Sequence, residues 1–273
     1  MAVNDVDAVM LSVGHDLPYL TGYHAMPLER LTMLVVPVVG PLRRVKTAAE
    51  IAALQRAGAA ADRVAAQLHA GAIPLIGRTE AQVSADISQR LLDEGHDVVN
   101  FAIVAAGENA ASPHHHPGNR VIRAGEIVLC DFGGTMADYC SDITRCVFLG
   151  QPSPEVSDAY AVLKEAQAAS VASAVVGATC ESVDAAARDI ITAAGYGEYF
   201  VHRTGHGIGM EAHEDPYIVS GNTERLEAGH AFSVEPGIYI PGKFGMRLED
   251  IVVATANGPL PMNAVSHDLV VLA

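Results

Sequence analysis

Residues 124–133 read AGEIVLCDFG, and residues 228–237 read AGHAFSVEPG. In both, Ala-Gly is followed after five residues by an acid, Asp131 or Glu235, and then by a glycine two positions on. The run before each acid is apolar, so each segment reads as a buried strand that ends on a carboxylate. An offset of 104 relates the two. Working outward, an offset of 100 relates Gly77 to Gly177, Thr79 to Thr179, Val83 to Val183, Ala85 to Ala185 and Gly95 to Gly195. Each half therefore reads helix, helix, strands, with an acid at the same point. The expected architecture is a duplicated α/β unit whose halves face each other and present acids to a shared cleft.

The helices carry their own boundary signals. Thr47-x-x-Glu50 and Thr79-x-x-Gln82 are capping boxes. Ile51, Leu54, Ala57, Ala61, Val64 and Leu68 follow helical spacing and predict an amphipathic helix over 48–70. Val83, Ile87 and Leu91 form the stripe of the next, with Gly95 at its C′ position. Ser153-Pro154 opens a third helix toward Gly177, and a fourth runs from Thr179 to Gly195. Residues 7–40 read as short strands, Ala8–Val13 and Leu31–Val39, joined by turn residues from Gly14 to Pro27.

In the first half, Gly133-Gly134 is expected to turn the chain, and Tyr139–Phe148 to return as a strand carrying Asp142. An antiparallel pair would set Asp131 and Asp142 side by side. The second half repeats the design: Ala231–Glu235, then Pro236-Gly237, then Gly245–Val253 with Glu249. Four carboxylates among apolar strands repel one another and are costly to desolvate, and two divalent cations would reverse that cost. His206 sits in Gly205-His206-Gly207-Ile208-Gly209. With His202 it has the HxxxH spacing of a helical zinc site, but the glycines speak against a helix. A glycine-lined strand or loop that lets metal or substrate approach the backbone is the preferred account. His213 follows, and His114-His115-His116 lies in a Pro- and Gly-flanked loop, where a solvated surface is an equally good explanation. Asp131-Phe132-Gly133 mimics a kinase motif, but the accompanying kinase motifs are missing.

Composition excludes several classes. There are 17 Lys and Arg against 32 Asp and Glu, a formal net charge of −15, which argues against nucleic-acid binding and a polybasic membrane surface. With half of the residues hydrophobic and 18% charged, the chain is not disordered by composition. The first ten residues carry Asp5 and Asp7 and no basic cluster, so no secretory signal is expected. The longest apolar stretches fall short of the roughly 18 residues that span a bilayer. The expected location is cytoplasmic. The four cysteines show no CxxC pair and read as buried, reduced thiols.

The segments VLCDFGG, YCSDITRCVFLG, HRTGHGIGMEAHEDP, FSVEPGIYIPG and MRLEDIVVAT resemble those of the pita-bread metallopeptidases: methionine aminopeptidases, Xaa-Pro aminopeptidases, prolidases and creatinases. The resemblance covers about residues 41–273, with all five segments in order. EPGIY and RLED look like the Xaa-Pro peptidase and prolidase branch. Creatinases share the fold but lack the metal ligands, which are all present here. The resemblance implies the pita-bread α+β fold, with pseudo-twofold duplicated α/β halves around an antiparallel curved sheet. It implies two divalent ions, with Asp131 on one, His206 and Glu235 on the other, and Asp142 and Glu249 bridging. Oxygen-rich ligation with one imidazole suits Mn²⁺ or Co²⁺ at least as well as Zn²⁺. Glu235 would shuttle a proton. His114, His202 and His213 match the family's substrate histidines, and Arg247 the group that orients the carboxylates.

The implied activity is hydrolysis of Xaa-Pro bonds in dipeptides or at peptide N-termini, with proline-containing peptides as substrates. The alternatives are a methionine-type aminopeptidase and a non-catalytic pita-bread module that binds peptide or protein. Residues 1–40, which include Tyr19-Leu20-Thr21-Gly22, resemble fragments of the family's N-terminal domain and are expected to be its remnant, with 41–273 as the catalytic domain. In relatives that domain helps to form a dimer, so a homodimer is expected in weakened form, with Leu31, Met33 and Leu34 lacking their usual partners.

Overall fold

The computed structural model describes residues 9–11, 15, 18, 19, 34–36 and 40–273. β1 (Val9–Leu11) and β2 (Leu34–Val36) pair antiparallel within the two stretches read as strands. Of the expected turn between them only residues 15, 18 and 19 are described, and Leu20-Thr21-Gly22 lies outside the described residues. A short helix, α1 (Gly40–Arg44), leads into α2 (Ala48–His69). α3 (Glu80–Asp93) follows, then β3 (Val98–Ala106), β4 (Ile127–Met136), β5 (Tyr139–Cys140) and β6 (Ile143–Leu149). The second half repeats the order with α4 (Pro154–Ser173) and α5 (Cys180–Ala193). Its strands are β7 (Gly205–Gly207), β8 (Glu214–Ile218), β9 (Ala231–Val234), β10 (Gly237–Ile240), β11 (Phe244–Arg247), β12 (Asp250–Thr255) and β13 (Gly258–Pro261). β14 (Val270–Leu272) returns to pair parallel with β6.

The caps form where the sequence places them. Thr47 and Thr79 each make a full capping box, and the side chains of Ser153 and Thr179 each accept from the backbone N–H three residues on. The duplication is written into the hydrogen bonds. The N–H groups of Gly77 and Glu80 donate to the carbonyls of Ile122 and Arg120; those of Gly177 and Cys180 donate to Leu226 and Glu224. Gly125 donates to Leu149, and Gly229 to Ala254.

Besides the two-stranded pairs β1-β2 and β10-β11, the described residues form two five-stranded sheets, ordered β14-β6-β4-β3, with β5 on β4, and β13-β12-β9-β7-β8. The two larger sheets meet at one antiparallel pairing, Thr144 with Glu249. β4 is buried on both faces. Val128, Cys130 and Phe132 pack with Val64, Leu68, Ile87 and Leu91 of α2 and α3. Ile127 and Leu129 pack with Tyr160, Leu163 and Ile191 of α4 and α5. Asp131 shares the parity of Ile127 and Leu129, so it stands on the face turned toward the other half. Among the described residues no helix is long and apolar enough to cross a membrane. All four cysteines are free and buried.

The strand expectations around the acids need correction. Gly133-Gly134 does not turn the chain: both lie inside β4. A Cβ on Gly133 would stand 2.1 Å from the Ser141 carbonyl oxygen, so the glycine is there for close backbone approach. The turn is Ala137-Asp138, with φ of +46° and +71°. The expected strand Tyr139–Phe148 breaks into β5 and β6 with Asp142 in the break. Asp131 is therefore opposite Thr144 and only diagonal to Asp142. Likewise, Gly237 opens a strand rather than a turn, and Glu249 sits between β11 and β12.

Arg145 locks the junction of the halves. It is fully buried and donates to the carbonyl oxygens of Thr144, Glu249, Val265 and Ser266, and at 2.7 Å to the Asp250 carboxylate. Asp250 also accepts from Gln167 (3.0 Å) and pairs with His267 (2.5 Å). Removing one partner of a buried ion pair leaves the other uncompensated, at about 3–5 kcal/mol. Arg145→Ala should lower the free energy of urea unfolding by about that much; a loss under about 1 kcal/mol would show that the junction is held elsewhere.

Candidate metal centre

A cavity of about 610 Å³ opens where the two larger sheets meet. Asp131, Asp142, His206, Glu235 and Glu249 all line it, as do His114, His202, His213 and Arg247. The sequence-derived residues thus converge on one place. Asp142, His206 and Glu249 are buried, and one potential ligand atom from each lies within 4.8 Å of the others. Asp142 belongs to the first half, and His206 and Glu249 to the second.

The glycines around His206 have a different cause from the one expected. A Cβ on Gly205 would stand 1.8 Å from the Ser233 carbonyl oxygen, and one on Gly207 2.3 Å from that of Asp215. β7 is squeezed between β8 and β9, so neighbouring backbone rather than ligand dictates glycine. The helical HxxxH alternative fails, because His206 is on a strand. That strand aims the imidazole. Nδ1 lies 3.0 Å from the Gly207 carbonyl, which can only accept, so Nδ1 carries a proton there. Nε2 faces Glu235 Oε1 at 3.2 Å and Asp142 Oδ2 at 3.7 Å. Only a proton or a cation between them makes such contacts attractive.

The carboxylates test the fit of a metal directly. The Oδ1 atoms of Asp131 and Asp142 are buried with no hydrogen-bond partner among the described residues. Unpartnered buried carboxylate oxygens are rare, and coordination satisfies them. Glu249 accepts from Thr144 Oγ1 at 2.6 Å through Oε2. Burial, reinforced by neighbouring acids, pushes the Asp142 and Glu249 carboxyls well above their ordinary values of 3.8 and 4.5. Burial also raises Asp131, with Arg247 opposing. For Glu235 burial pushes upward, but the hydrogen bond and charge of His206 outweigh it and hold the group at about 2. Oxygen donors with one imidazole are a set that a hard or borderline divalent ion accepts.

Arg247 does more than orient its near neighbour. Its Nη2 forms an ion pair with Asp131, its Nε donates to Thr144 Oγ1 (3.1 Å), and its Nη1 to Tyr239 OH (2.8 Å) and the Pro113 carbonyl (3.4 Å). Both His202 nitrogens are engaged: Nδ1 with the Arg203 carbonyl (2.6 Å) and Nε2 with Tyr239 OH (2.8 Å). Since the carbonyl only accepts, Nδ1 donates, and Nε2 accepts from the phenol. Burial lowers His202 to about 4. It therefore has no N–H left for a substrate carbonyl, contrary to the expected role. His213 is lowered to about 4 by burial, then by the charges of His206 and Arg203, and its ring packs 4.0 Å from that of His206. The neighbour of His114, His115, bonds the fully buried Glu80 at 2.8 Å, which ties the histidine loop to α3.

Sequence reasoning missed Tyr239, Thr144 and Ser233. Ser233 donates to Glu235 Oε1 (3.0 Å) and accepts the His206 backbone N–H (3.0 Å). The available signal was strand periodicity, because Ser233 and Thr144 each stand two residues from an acid.

The profile of metallopeptidase family M24 matches residues 51–256. The chain belongs to this family. Similar members include the probable dipeptidase PepE of Mycobacterium tuberculosis, 47% identical over 97% of this chain and 70% of its own length. The Xaa-Pro dipeptidase of Lactobacillus helveticus is 44% identical over 96% of this chain and 70% of its own. The crystal structure of dipeptidase PepE from Mycobacterium ulcerans matches with a TM-score of 0.95 at 39% identity, covering 99% of this chain and 94% of that one. A recombinant prolidase from Thermococcus sibiricus matches at 0.84 and 43% identity, covering 86% of this chain and 64% of that one. These matches establish the pita-bread fold. M24 membership also implies divalent metal ions.

Metal binding and proton release are linked here. A folded-state pKa above the unfolded value means that the folded chain keeps protons the unfolded chain has lost. Asp142 and Glu249 therefore make the metal-free protein less stable as pH rises from their ordinary values toward the raised ones. His202 and His213, depressed, act in the opposite sense below 6.5. A divalent ion removes the carboxylate penalty and competes with those protons. The gain in melting temperature on adding Mn²⁺ to chelated protein should be larger at about pH 8 than at about pH 6; an equal or smaller gain at the higher pH would contradict this ligand set.

Proposed function

We propose that this M24 metallopeptidase is an Xaa-Pro dipeptidase whose centre holds two divalent ions. The observation that carries the reading is the buried Asp142–His206–Glu249 cluster, set with two further carboxylates in one cavity. The named dipeptidase and Xaa-Pro dipeptidase relatives support the substrate class. Asp131 would hold one ion, His206 and Glu235 the other, and Asp142 and Glu249 both. The donor set favours Mn²⁺ or Co²⁺, with Zn²⁺ also accepted. When bound, such ions supply Lewis acidity and make hydroxide available near neutral pH.

The chain's own residues then divide the work. Glu235, ionised and steadied by Ser233, takes the proton from the attacking water and delivers it to the prolyl nitrogen as the bond breaks. His114 and His213 have no side-chain hydrogen bond to any described residue and line the cavity, so their N–H groups are available for the peptide carbonyl as negative charge develops. A neutral imidazole suits His213 to donate without competing for the amine end. His202 acts at one remove: it fixes Tyr239, which fixes Arg247, which holds Asp131. Phe101, Ile103 and Val219 supply an apolar wall for the prolyl ring.

Hydrolysis of Ala-Pro, abolished by chelation and restored by Mn²⁺, is the expected result. Cleavage of Met-Ala-Ser in preference would instead indicate the methionine-type enzyme, and metal binding with no hydrolysis a binding module. Asp142→Ala or Glu249→Ala should abolish activity and metal retention together; near-parent activity in either would overturn the bridging assignment. His114→Ala should lower kcat about a hundredfold with metal retained, as for loss of one oxyanion donor. Loss of metal in that variant would show that His114 is a ligand.

A further inference from the structure

The three consecutive histidines have different surroundings. His114 lines the cavity and is exposed there, His115 is partly buried, and His116 is exposed outside the cavity lining. His114 stands third in the turn Ser112–His115, with Pro113 second, and the His115 N–H closes that turn by donating to the Ser112 carbonyl at 3.1 Å. The His114 ring has no side-chain hydrogen bond to any described residue, so its backbone has to place it. Two anchors flank that backbone. On one side the Pro113 carbonyl accepts from Arg247 Nη1 at 3.4 Å. On the other, His115 Nε2 lies 2.8 Å from Glu80 Oε2. A carboxylate only accepts, so Nε2 carries the proton of that bond.

Glu80 is the first residue of α3 and is fully buried. Its Oε1 accepts from the Ala106 backbone N–H (2.9 Å) and Asn109 Nδ2 (3.0 Å), and its Oε2 from His115 and the Gly118 N–H (3.4 Å). Every one of these donors lies between residues 106 and 118, the segment that carries His114. Among the described residues, the ion pair printed for Glu80 is the one with His115. A buried carboxylate is costly without donors, so this set of bonds draws the segment back onto the helix. Neither Glu80 nor His115 lines the cavity.

We propose that Glu80 and His115 are positioning residues for His114: they pin one end of its turn to α3 and so hold its imidazole where a substrate carbonyl is polarised. This rests on the role given to His114 in the Xaa-Pro dipeptidase reading. A donor to an oxyanion works only at hydrogen-bond distance from the developing charge, and a misplacement of about 1 Å already costs rate. His114 comes from a loop, and a loop holds such geometry only when groups behind it are locked. Arg247 locks the Pro113 end and is itself tied to Asp131 in the cavity. Glu80 locks the His115 end from the helix layer outside the cavity. Releasing the second anchor frees the turn to pivot about the first, with the carboxylates of the cavity undisturbed.

The test uses the full chain, with two independent readouts. In the Mn²⁺-loaded protein, H115L should lower kcat for Ala-Pro about tenfold, part of the loss expected for removing His114 itself, with KM changed less than about threefold and metal retained. H115N, whose shorter amide cannot reach Glu80, should do the same and serves if H115L folds poorly. H115Q, whose amide nitrogen can take the place of Nε2, should recover most of the rate. Since the effect passes through His114, the H114A/H115L double variant should match H114A within about twofold. The second readout needs no turnover: in the chelated protein with ¹⁵N-labelled histidine, the ring signals that vanish in H114A should move in H115L and return in H115Q. Parent-like kcat in H115L and H115N, a further loss in the double variant, or unmoved His114 signals would each overturn the proposal even if Xaa-Pro hydrolysis is confirmed. Movement of those signals in a protein that cleaves no Xaa-Pro bond would uphold the positioning and refute the peptidase reading.

Discussion

Four carboxylates line one cavity, and among the described residues the guanidinium paired with any of them is that of Arg247. Left alone, this arrangement is electrostatically unfavourable, and Asp131, Asp142 and Glu249 respond by drifting toward the neutral form, while His206 holds Glu235 ionised. The surrounding chain is organised to hold that tension in place. β4 is buried from Ile127 to Gly134 and β9 throughout, so Asp131 within the one and Glu235 just beyond the other have no route to solvent without dismantling a core. Thr144, Ser233 and Tyr239 supply hydroxyls that fix the geometry of Glu249, Glu235 and Arg247 without adding charge. The fold thus keeps negative charge concentrated and oriented, the condition under which divalent ions bind and polarise a peptide carbonyl.

Duplication explains how one chain reaches this state. Each half contributes an acid on a central strand, Asp131 within β4 or Glu235 just after β9, and a second acid just before a later strand, Asp142 before β6 or Glu249 before β12. A single unit presents two acids. Two units set face to face present four, and add the histidine from the short strand β7. Arg145 and Asp250 bind the halves immediately behind Glu249, with a fully buried ion pair that takes no part in the cavity. The charged residues therefore serve two separate duties on either side of one backbone segment.

The helices and the duplication were legible because their signals are local. Thr47, Thr79, Ser153 and Thr179 act through the next three residues, and glycines such as Gly95 and Gly195 adopt the positive φ that ends a helix. Asp131, Asp142, His206, Glu235 and Glu249 were legible as chemistry, since each is a polar group in an apolar setting. Their placement was not. Whether a glycine turns the chain or allows a neighbour close depends on what packs against it, and Gly133 and Gly205 prove to be close-approach sites. The engagement of His202 by Tyr239 was hidden for a related reason: the two are far apart in sequence, and only tertiary register brings them together.

The division of the proposed ligands between the halves has a consequence for the chain as a polymer. Asp142 and Glu249 are more than a hundred residues apart, and His206 lies between them. An ion held by all three would be a reversible cross-link, closing two long loops at a single point. The entropy removed from the unfolded ensemble by such a closure grows with the logarithm of loop length, as for a disulfide. In a chain whose four cysteines are all free, the same atoms that perform chemistry would then act as a covalent-like staple, and the availability of metal would govern how long a molecule survives as well as how fast it turns over.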